Sequence, residues 1–296
     1  MKKNRITVFT PTFNRKDKLK RLYFHLCHQT NLNFVWLIID DGSTDHTKEF
    51  VEEITSKAPF TIKYIWIENH GKQYATNIAI DNTTSDYFAF VDSDDYYLES
   101  TVNVLYELID KIDSRKDVSG ICARRGYDSN TFVGSSNINF TEKTVNMDYM
   151  IKKYNFHGDT CRMYKTAILK ANKYPYYGEK FIPEDLLYSK IDMMYDIYFY
   201  NKILSITEYN NEGYTKNQRR IYNENPKGYY NALNQLSLSK RGFSYLLKIE
   251  IIIIIWYLKY PEVRKFGINK KIRFMLVFIP GYILYKLNRP SFLFNN

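Results

Sequence analysis

Phe34-Val-Trp-Leu-Ile-Ile-Asp-Asp-Gly-Ser-Thr-Asp45 is the stretch whose reading decides the fold. Six apolar residues run without a polar break, which suits a strand covered on both faces. Two carboxylates then end it. Gly42 permits a tight turn, and Ser43, Thr44 and Asp45 offer N-caps to a helix expected over 45–56. A buried strand that stops on acids and turns into a helix is half of a βαβ unit.

The rhythm continues on both sides. A short β-rich run at 6–10 precedes a helical pattern over 16–29. Strands are expected at 61–68, 87–91 and 118–123, and helices at 72–80 and 99–111. Strand alternating with helix implies a mostly parallel sheet, with right-handed crossovers that bring the strand C-ends to one edge. Ligands bind along such an edge. The acids sit there: Asp40 and Asp41 after the second strand, Asp92, Asp94 and Asp95 after the fourth. The fold expected is therefore α/β and Rossmann-like. Residues 1–125 form its regular half and the irregular, Tyr-rich 126–212 a second half. A mainly helical region follows over 213–296, with helices at 226–239, 243–260 and 270–287.

Composition excludes several classes. With 45% apolar and 17% aromatic residues the 296-residue chain is too rich to be disordered. Cys27, Cys122 and Cys161 share no CxxC spacing, so neither a disulfide framework nor a zinc site is expected. A reduced, intracellular protein without a signal peptide is the expectation. The net charge of +10 is unevenly placed. From residue 213 on there are fifteen Lys and Arg against three Glu, a net +12, while 1–212 carry a net −2. That asymmetry suggests an anionic partner for the last third.

Four elements at the strand ends can carry chemistry. Asp92-Ser93-Asp94-Asp95 crowds carboxylates that repel unless a cation sits between them, and hard oxygens with open positions suit Mg²⁺ or Mn²⁺ shared with a diphosphate. An acidic turn with N-caps is the bland alternative. Asp40-Asp41-Gly42 can cap its helix and still accept from a base or ribose donor. Thr10-Pro-Thr-Phe-Asn-Arg15 exposes backbone groups around Pro11, and Arg15 can meet a phosphate or a carboxylate. Asn69-His70-Gly71-Lys72 opens a helix with a Gly and an ammonium, an anion site.

In this order and spacing the four elements resemble the family 2 glycosyltransferases of bacterial surface-polysaccharide type, which have a GT-A fold. The likeness runs over about 4–125 and rests on Pro11-Thr-Phe-Asn-Arg15, Ile39-Asp-Asp-Gly-Ser-Thr-Asp45, Asn69-x-Gly71 and Phe90-Val-Asp-Ser-Asp-Asp95. It implies a metal-dependent inverting transferase, hexosyl or N-acetylhexosaminyl, with a nucleotide-diphosphate sugar, by family a UDP-sugar. By that likeness Thr10, Pro11 and Asp41 line the nucleobase pocket, with Phe13 and Arg15 on the same donor-binding segment. Asp92 with its neighbour Ser93 approaches the ribose, Asp94 binds Mn²⁺ or Mg²⁺, and Lys72 lies near the donor phosphates. One departure stands out: where many members carry Ala-Arg-Asn, this chain has Ala75-Thr76-Asn77, and Lys72 is left to supply the missing charge.

Tyr177-Gly-Glu-Lys-Phe-Ile-Pro-Glu-Asp185 resembles the family's acceptor-side motif. An inverting transfer needs a base for the acceptor hydroxyl proton. The common Glu-Asp motif favours Asp185, and the Gly-Glu-Lys-Phe context favours Glu184. His157 and Asp159 are candidates to face the acceptor, although a lone His is more often a packed residue. The likeness implies a saccharide or lipid-linked acceptor.

Two rivals come from other classes. A phosphotransferase with a nucleophilic Asp also places DxD after a strand, but Tyr96 stands where its hydroxyl residue is expected. A non-catalytic membrane-surface module would take the basic tail at face value. Lys240, Arg241 and Lys248 precede one apolar segment, and Lys270, Lys271 and Arg273 another, a pattern of interfacial helices. Neither segment is long enough to span a bilayer. No nucleic-acid motif is present, since aromatics do not interleave with the basic residues. The expected location is cytoplasmic, peripheral on the inner face of the cell membrane, with helices that pack on the catalytic domain as the plain alternative.

Overall fold

The computed structural model describes residues 4–207, 214–268, 280 and 282–286. The first strands and helices fall where the pattern places them: β1 (Ile6–Thr12), α1 (Lys16–Cys27), β2 (Phe34–Asp40), α2 (Thr47–Thr55), β3 (Thr61–Trp66), α3 (Lys72–Asn82) and β4 (Tyr87–Phe90). They form a parallel sheet in the order β3-β2-β1-β4. Thr12 pairs with Asp40, and Asp40 with Trp66, so the acidic and Thr-Pro-Thr segments end on one edge.

Period-2 alternation assigns the two faces. Ile6, Val8, Phe34, Trp36 and Ile38 turn to one side and pack on Leu19, Leu22 and Leu26 of α1 and on α4 (Thr101–Ile112). Phe9, Leu37 and Ile39 turn to the other and meet Ala75, Ala79 and Ile80 of α3. Each of these large side chains is essentially withdrawn from water, worth about 1.5–3 kcal/mol apiece.

The sheet does not stop at β4. After the three-residue β5 (Asp95–Tyr97) and α4 comes β6 (Val118–Gly126). The middle of the chain then supplies β7 (Glu142–Val145), α5 (Met147–Tyr154), β8 (Thr160–Lys165), α6 (Thr166–Ala171), α7 (Asp185–Asp192) and β9 (Asp196–Thr207). The full order is β3-β2-β1-β4-β8-β6-β9-β5, with β7 on β9. The alternation rule places β6 beside β4. Instead β8 lies between them, antiparallel to both. A Met163, Tyr164 and Cys161 surface buried on both faces makes β8 a central strand. Six strands still share one direction (β1–β4, β6 and β9), so the sheet is mixed but mostly parallel. It is continuous across residue 125, where the sequence suggests a division into halves.

The chain ends in helices α8 (Tyr214–Glu224), α9 (Pro226–Leu236) and α10 (Phe243–Lys259), then a 3-10 turn, Pro261–Phe266. Ile252 to Trp256 of α10 are buried in a core shared with Tyr229, Tyr230 and Leu233 of α9 and with Val263. The first apolar segment is thus a packing surface and not a free interfacial face. Of the helix expected over 270–287, residue 280 and 282–286 are helical, and the rest lies outside the described residues. Among the described residues no helix is long and apolar enough to cross a membrane.

Candidate active site

The loop after β1 and the loop after β2 are stitched together. Asn14, in the left-handed region at φ 51°, donates its backbone N–H to Ser43 Oγ (2.8 Å) and accepts from the Thr44 N–H (2.8 Å). Asp45 accepts from the Lys16 N–H (2.9 Å). Asp40 is fully buried and accepts from the Ser43 N–H (2.8 Å) and the Tyr64 hydroxyl (2.6 Å), which raises the Tyr64 pKa together with burial.

Asp41 has another task. Its two oxygens accept the backbone N–H groups of His70 and Gly71, each at 2.8 Å, and its carbonyl accepts from Asn69 Nδ2 (2.9 Å). Burial lifts its pKa and these amides oppose the lift. Asp41 thus holds the Asn-x-Gly loop against the sheet edge. Gly71, at φ 94°, is required there: a Cβ would stand 1.8 Å from the Lys180 carbonyl oxygen. The loop that starts α3 is in this way pressed against the segment leading to Glu184.

The other residues expected to bind the donor divide. The Thr10 side chain is fully buried and accepts from Trp36 Nε1 (3.0 Å), so only its backbone belongs to the edge. Ser93 is buried too. Pro11 is partly open, and Phe13 is 46% exposed beside it.

The acids after β4 form an ion-paired cluster. Lys72 Nζ stands 2.7 Å from Asp92 Oδ1 and 2.6 Å from Glu184 Oε1. Desolvation lowers the Lys72 pKa, yet these two carboxylates more than offset it and hold the ammonium above its ordinary value. Arg125, at the end of β6, reaches Asp95 at 2.7 Å and Asp92 at 3.8 Å. Burial pushes Asp92 up, but Lys72 and Arg125 bring it down to about 2. Asp95 is lifted to about 6, chiefly by burial, with Arg125 opposing. Asp94 Oδ2 is held by Arg15 Nη1 (2.5 Å) and more loosely by Lys18 (3.7 Å), while Arg21 Nη2 donates to its carbonyl (2.6 Å).

Arg125 is the functional-site residue the sequence reading missed. Its signal was available: two arginines at the C-end of a predicted strand. Alternation sends them apart. Arg124 is fully buried, its guanidinium 4.3 Å from the Phe132 ring centre, whereas Arg125 meets the acids.

The structure separates the two acids expected on the acceptor side. Glu184, at the N-cap of α7, reaches Lys72. Asp185 starts α7, and its pKa is raised, first by desolvation and also by Glu184, with Arg241 and Arg162 opposing. It lies within electrostatic reach of Tyr222, Tyr229 and Tyr245 of the C-terminal helices. His157 is exposed, with Nδ1 at 2.7 Å from the Asn155 carbonyl and its backbone N–H on Ser135. Asp159 acts on Arg125 electrostatically and is exposed.

Among the described residues no three His, Cys, Asp or Glu side chains converge as a cation cage. The residues nevertheless suit a divalent cation that arrives with its ligand. Asp92, Asp94, Asp95 and Glu184 are each paired with a cation, drawn from Arg15, Lys18, Lys72 and Arg125, and Arg21 stands beside them. A lone dication would add two positive charges to this set, whereas a dication carried with a diphosphate adds little net charge. The Asp94 side chain is 27% exposed, a hard oxygen donor open to such a pair.

Comparisons with known proteins agree with this architecture. The family model described as Glycosyl transferase family 2 matches residues 7–172. Glycosyltransferase GlyA of Streptococcus pneumoniae is 35% identical over 106 residues, 36% of this chain and 15% of that protein. The poly(ribitol-phosphate) beta-N-acetylglucosaminyltransferase TarS of Staphylococcus aureus is 25% identical over 187 residues, 62% of this chain and 32% of that one. The matched stretches thus span a third or less of these relatives. In structure, TarS residues 1–349, solved with UDP-GlcNAc, superpose with a TM-score of 0.61 at 18% identity, covering 98% of this chain and 82% of that one. The mannosyltransferase PcManGT from Pyrobaculum calidifontis, solved with GDP-Man and Mn²⁺, gives 0.59 at 15% identity, covering 98% and 84%. At these identities the superpositions establish the fold, that of GT-A enzymes.

Proposed function

We propose that this chain, which belongs to glycosyl transferase family 2, moves a hexosyl or N-acetylhexosaminyl group from a nucleotide-diphosphate sugar, a UDP-sugar by family, to a hydroxyl of a saccharide or lipid-linked acceptor in surface-polysaccharide assembly. One observation carries the reading: Lys72 joins Asp92, at the end of a donor strand, to Glu184, the neighbour of the candidate base. That pair of contacts ties the donor edge to the segment that carries the candidate base. The names of relatives support the setting, among them TarS and a teichoic acid poly(glycerol phosphate) polymerase of Staphylococcus epidermidis.

The reaction is a single displacement. The acceptor oxygen attacks the anomeric carbon, its proton passes to Asp185, and the bond to the diphosphate breaks with its electron pair leaving on the phosphate oxygen. Asp185 is exposed at the start of α7 and so open to an acceptor hydroxyl. Glu184, tied to Lys72, positions that ammonium. In this reading Lys72 and Arg15 are the cations that would meet the negative charge accumulating on the departing group. Asp94 would hold Mn²⁺ or Mg²⁺, which when bound supplies Lewis-acid neutralisation of the diphosphate.

The test is a thermal-shift and donor-hydrolysis screen of UDP- and GDP-sugars with and without Mn²⁺ or Mg²⁺. Asp94→Asn is expected to lose the metal-dependent part of nucleotide binding and all transfer; normal turnover by that variant would sink the assignment. Asp185→Asn is expected to stop transfer with donor binding intact. If Glu184→Gln alone does so, the base is Glu184.

Work at the inner face of an anionic membrane is inferred from the charge of 213–296 alone. Arg241 gives part of its charge to Asp148 (3.0 Å). Co-sedimentation with anionic against neutral vesicles decides: equal binding, or none, overturns it.

A further inference from the structure

The end of α7 turns apolar side chains into water. Met193 is 43% exposed and Met194 53%. Hydrogen bonds gather three other stretches around them. Asn146, which caps α5, donates Nδ2 to the Asp192 carbonyl at the end of α7 (2.9 Å). Asp148, in the first turn of α5, accepts the Lys240 backbone N–H (2.7 Å) and Arg241 Nε (3.0 Å) from the turn between α9 and α10. Gln235 of α9 places Nε2 3.1 Å from the Met193 sulfur. The two methionines therefore share a neighbourhood with the start of α10, where Phe243 is 62% exposed.

The charge of this neighbourhood is one-sided. Its acids are used inside the protein, Asp148 by Arg241 and Asp192 by Arg162 (3.3 Å). Lys152 lies one turn along α5 from Asp148, Lys190 one turn before Met193, and Lys240 at the Asp148 contact. All three lysines are exposed, and among the described residues no acid pairs with them. Exposed methionine and phenylalanine among such lysines have the composition of an interfacial contact. Apolar side chains can enter the headgroup boundary while ammonium groups on long stems meet the lipid phosphates. A compact ammonium needs no fixed partner geometry, which fits a fluid anionic surface better than the set carboxylates of a folded protein. The isoleucines of α10 cannot serve in this way, because they are buried against α9.

We propose that this face, from Met193 and Met194 to Phe243, docks the protein on an anionic bilayer. The inference rests on the membrane reading for the partner and on the exposed side chains for the place. Asp185 starts α7 and Met193 follows its last residue, so the candidate base stands about 12 Å along the helix from the contact. That reach suits an acceptor hydroxyl held close to the lipid that carries it.

The experiment sediments the full chain with vesicles of phosphatidylcholine, alone or mixed with phosphatidylglycerol. It compares wild type with Met193→Ser/Met194→Ser, which removes apolar surface and no charge, and with Lys270→Gln/Lys271→Gln, which removes tail charge and leaves the face. Melting temperature and size-exclusion chromatography report on folding and on association. Wild type is expected to bind the anionic vesicles and to keep part of that binding at high salt, where charge is screened. The methionine variant should bind at least tenfold more weakly and lose the salt-resistant part, with melting near wild type, and the tail variant should lose less. If the methionine variant melts much lower, Lys152→Glu/Lys190→Glu decides in its place, with the same tenfold loss expected. Wild-type-like binding by the folded variant overturns the docking face and leaves the membrane reading standing. Absence of wild-type binding, or equal binding to neutral vesicles, overturns both. A wild-type dimer that the methionine substitutions dissolve makes the face a contact between copies and overturns the proposal too.

Discussion

The sheet edge and the C-terminal helices are built on opposite principles. At the edge, charged side chains pair with one another within a few ångströms, brought there by strand ends and by the starts of the helices that follow them. In the helices, α9 and α10 cohere through isoleucine and aromatic packing with little charge inside. The two regions are joined through segment 177–185. There Glu179 accepts the backbone N–H groups of Lys227 (3.0 Å) and Gly228 (2.7 Å) at the start of α9. Chemistry thus sits where the polymer must bring residues together, and shape is left to side-chain packing.

Four substitutions test that contrast. Lys72→Met should be the most damaging to activity, lowering kcat/KM about a thousandfold, ~4 kcal/mol of transition-state stabilisation. It also leaves Asp92 and Glu184 facing each other without a cation. Steady-state kinetics near wild type would show the ion pairing to be incidental. Ile253→Ala should do the reverse, destabilising the helices by about 3 kcal/mol in urea unfolding while nucleotide binding persists. Loss of nucleotide binding at equal foldedness would mean that the two regions are one unit.

Gly71→Ala strikes the seam between donor loop and acceptor segment, and should cost about 2 kcal/mol and weaken donor binding. A variant with unchanged melting would show that the Lys180 backbone yields freely. The smallest effect expected is a pH dependence. Half-buried Glu179 titrates above its ordinary value, first because of desolvation. A raised folded pKa contributes stability that is complete below the unfolded value, about 4.3, and is lost as pH rises through the folded one. Wild type should therefore lose stability relative to Glu179→Gln between pH 4 and pH 7. Parallel melting curves across that window would contradict it.

The legible part of the molecule was the part governed by local spacing. Phe34–Asp40 reads as a buried strand because its periodicity is written in seven adjacent residues, and Asp92 and Asp94 follow from the next such strand. β8 was not legible as a central strand, because its partners β4 and β6 lie far away in sequence and their pairing is decided by packing. The same holds in the site. Asp41 reads as a ligand contact by type, but only the fold shows both its oxygens spent on the His70 and Gly71 amides. Arg125 acquires meaning only once the end of β6 is seen to approach β5.

The insertion of β8 between β4 and β6 has a consequence for how the chain is made. About 70 residues separate Phe90 from Thr160. At roughly 5–20 residues per second, synthesis leaves β4 with an open hydrogen-bonding edge for several seconds before its neighbour emerges. Until then the first half of the chain is an unfinished sheet, prone to pair with other chains. A nascent chain stalled before residue 160 should be a better chaperone client than one stalled after 207, when β9 has closed the far side of β6.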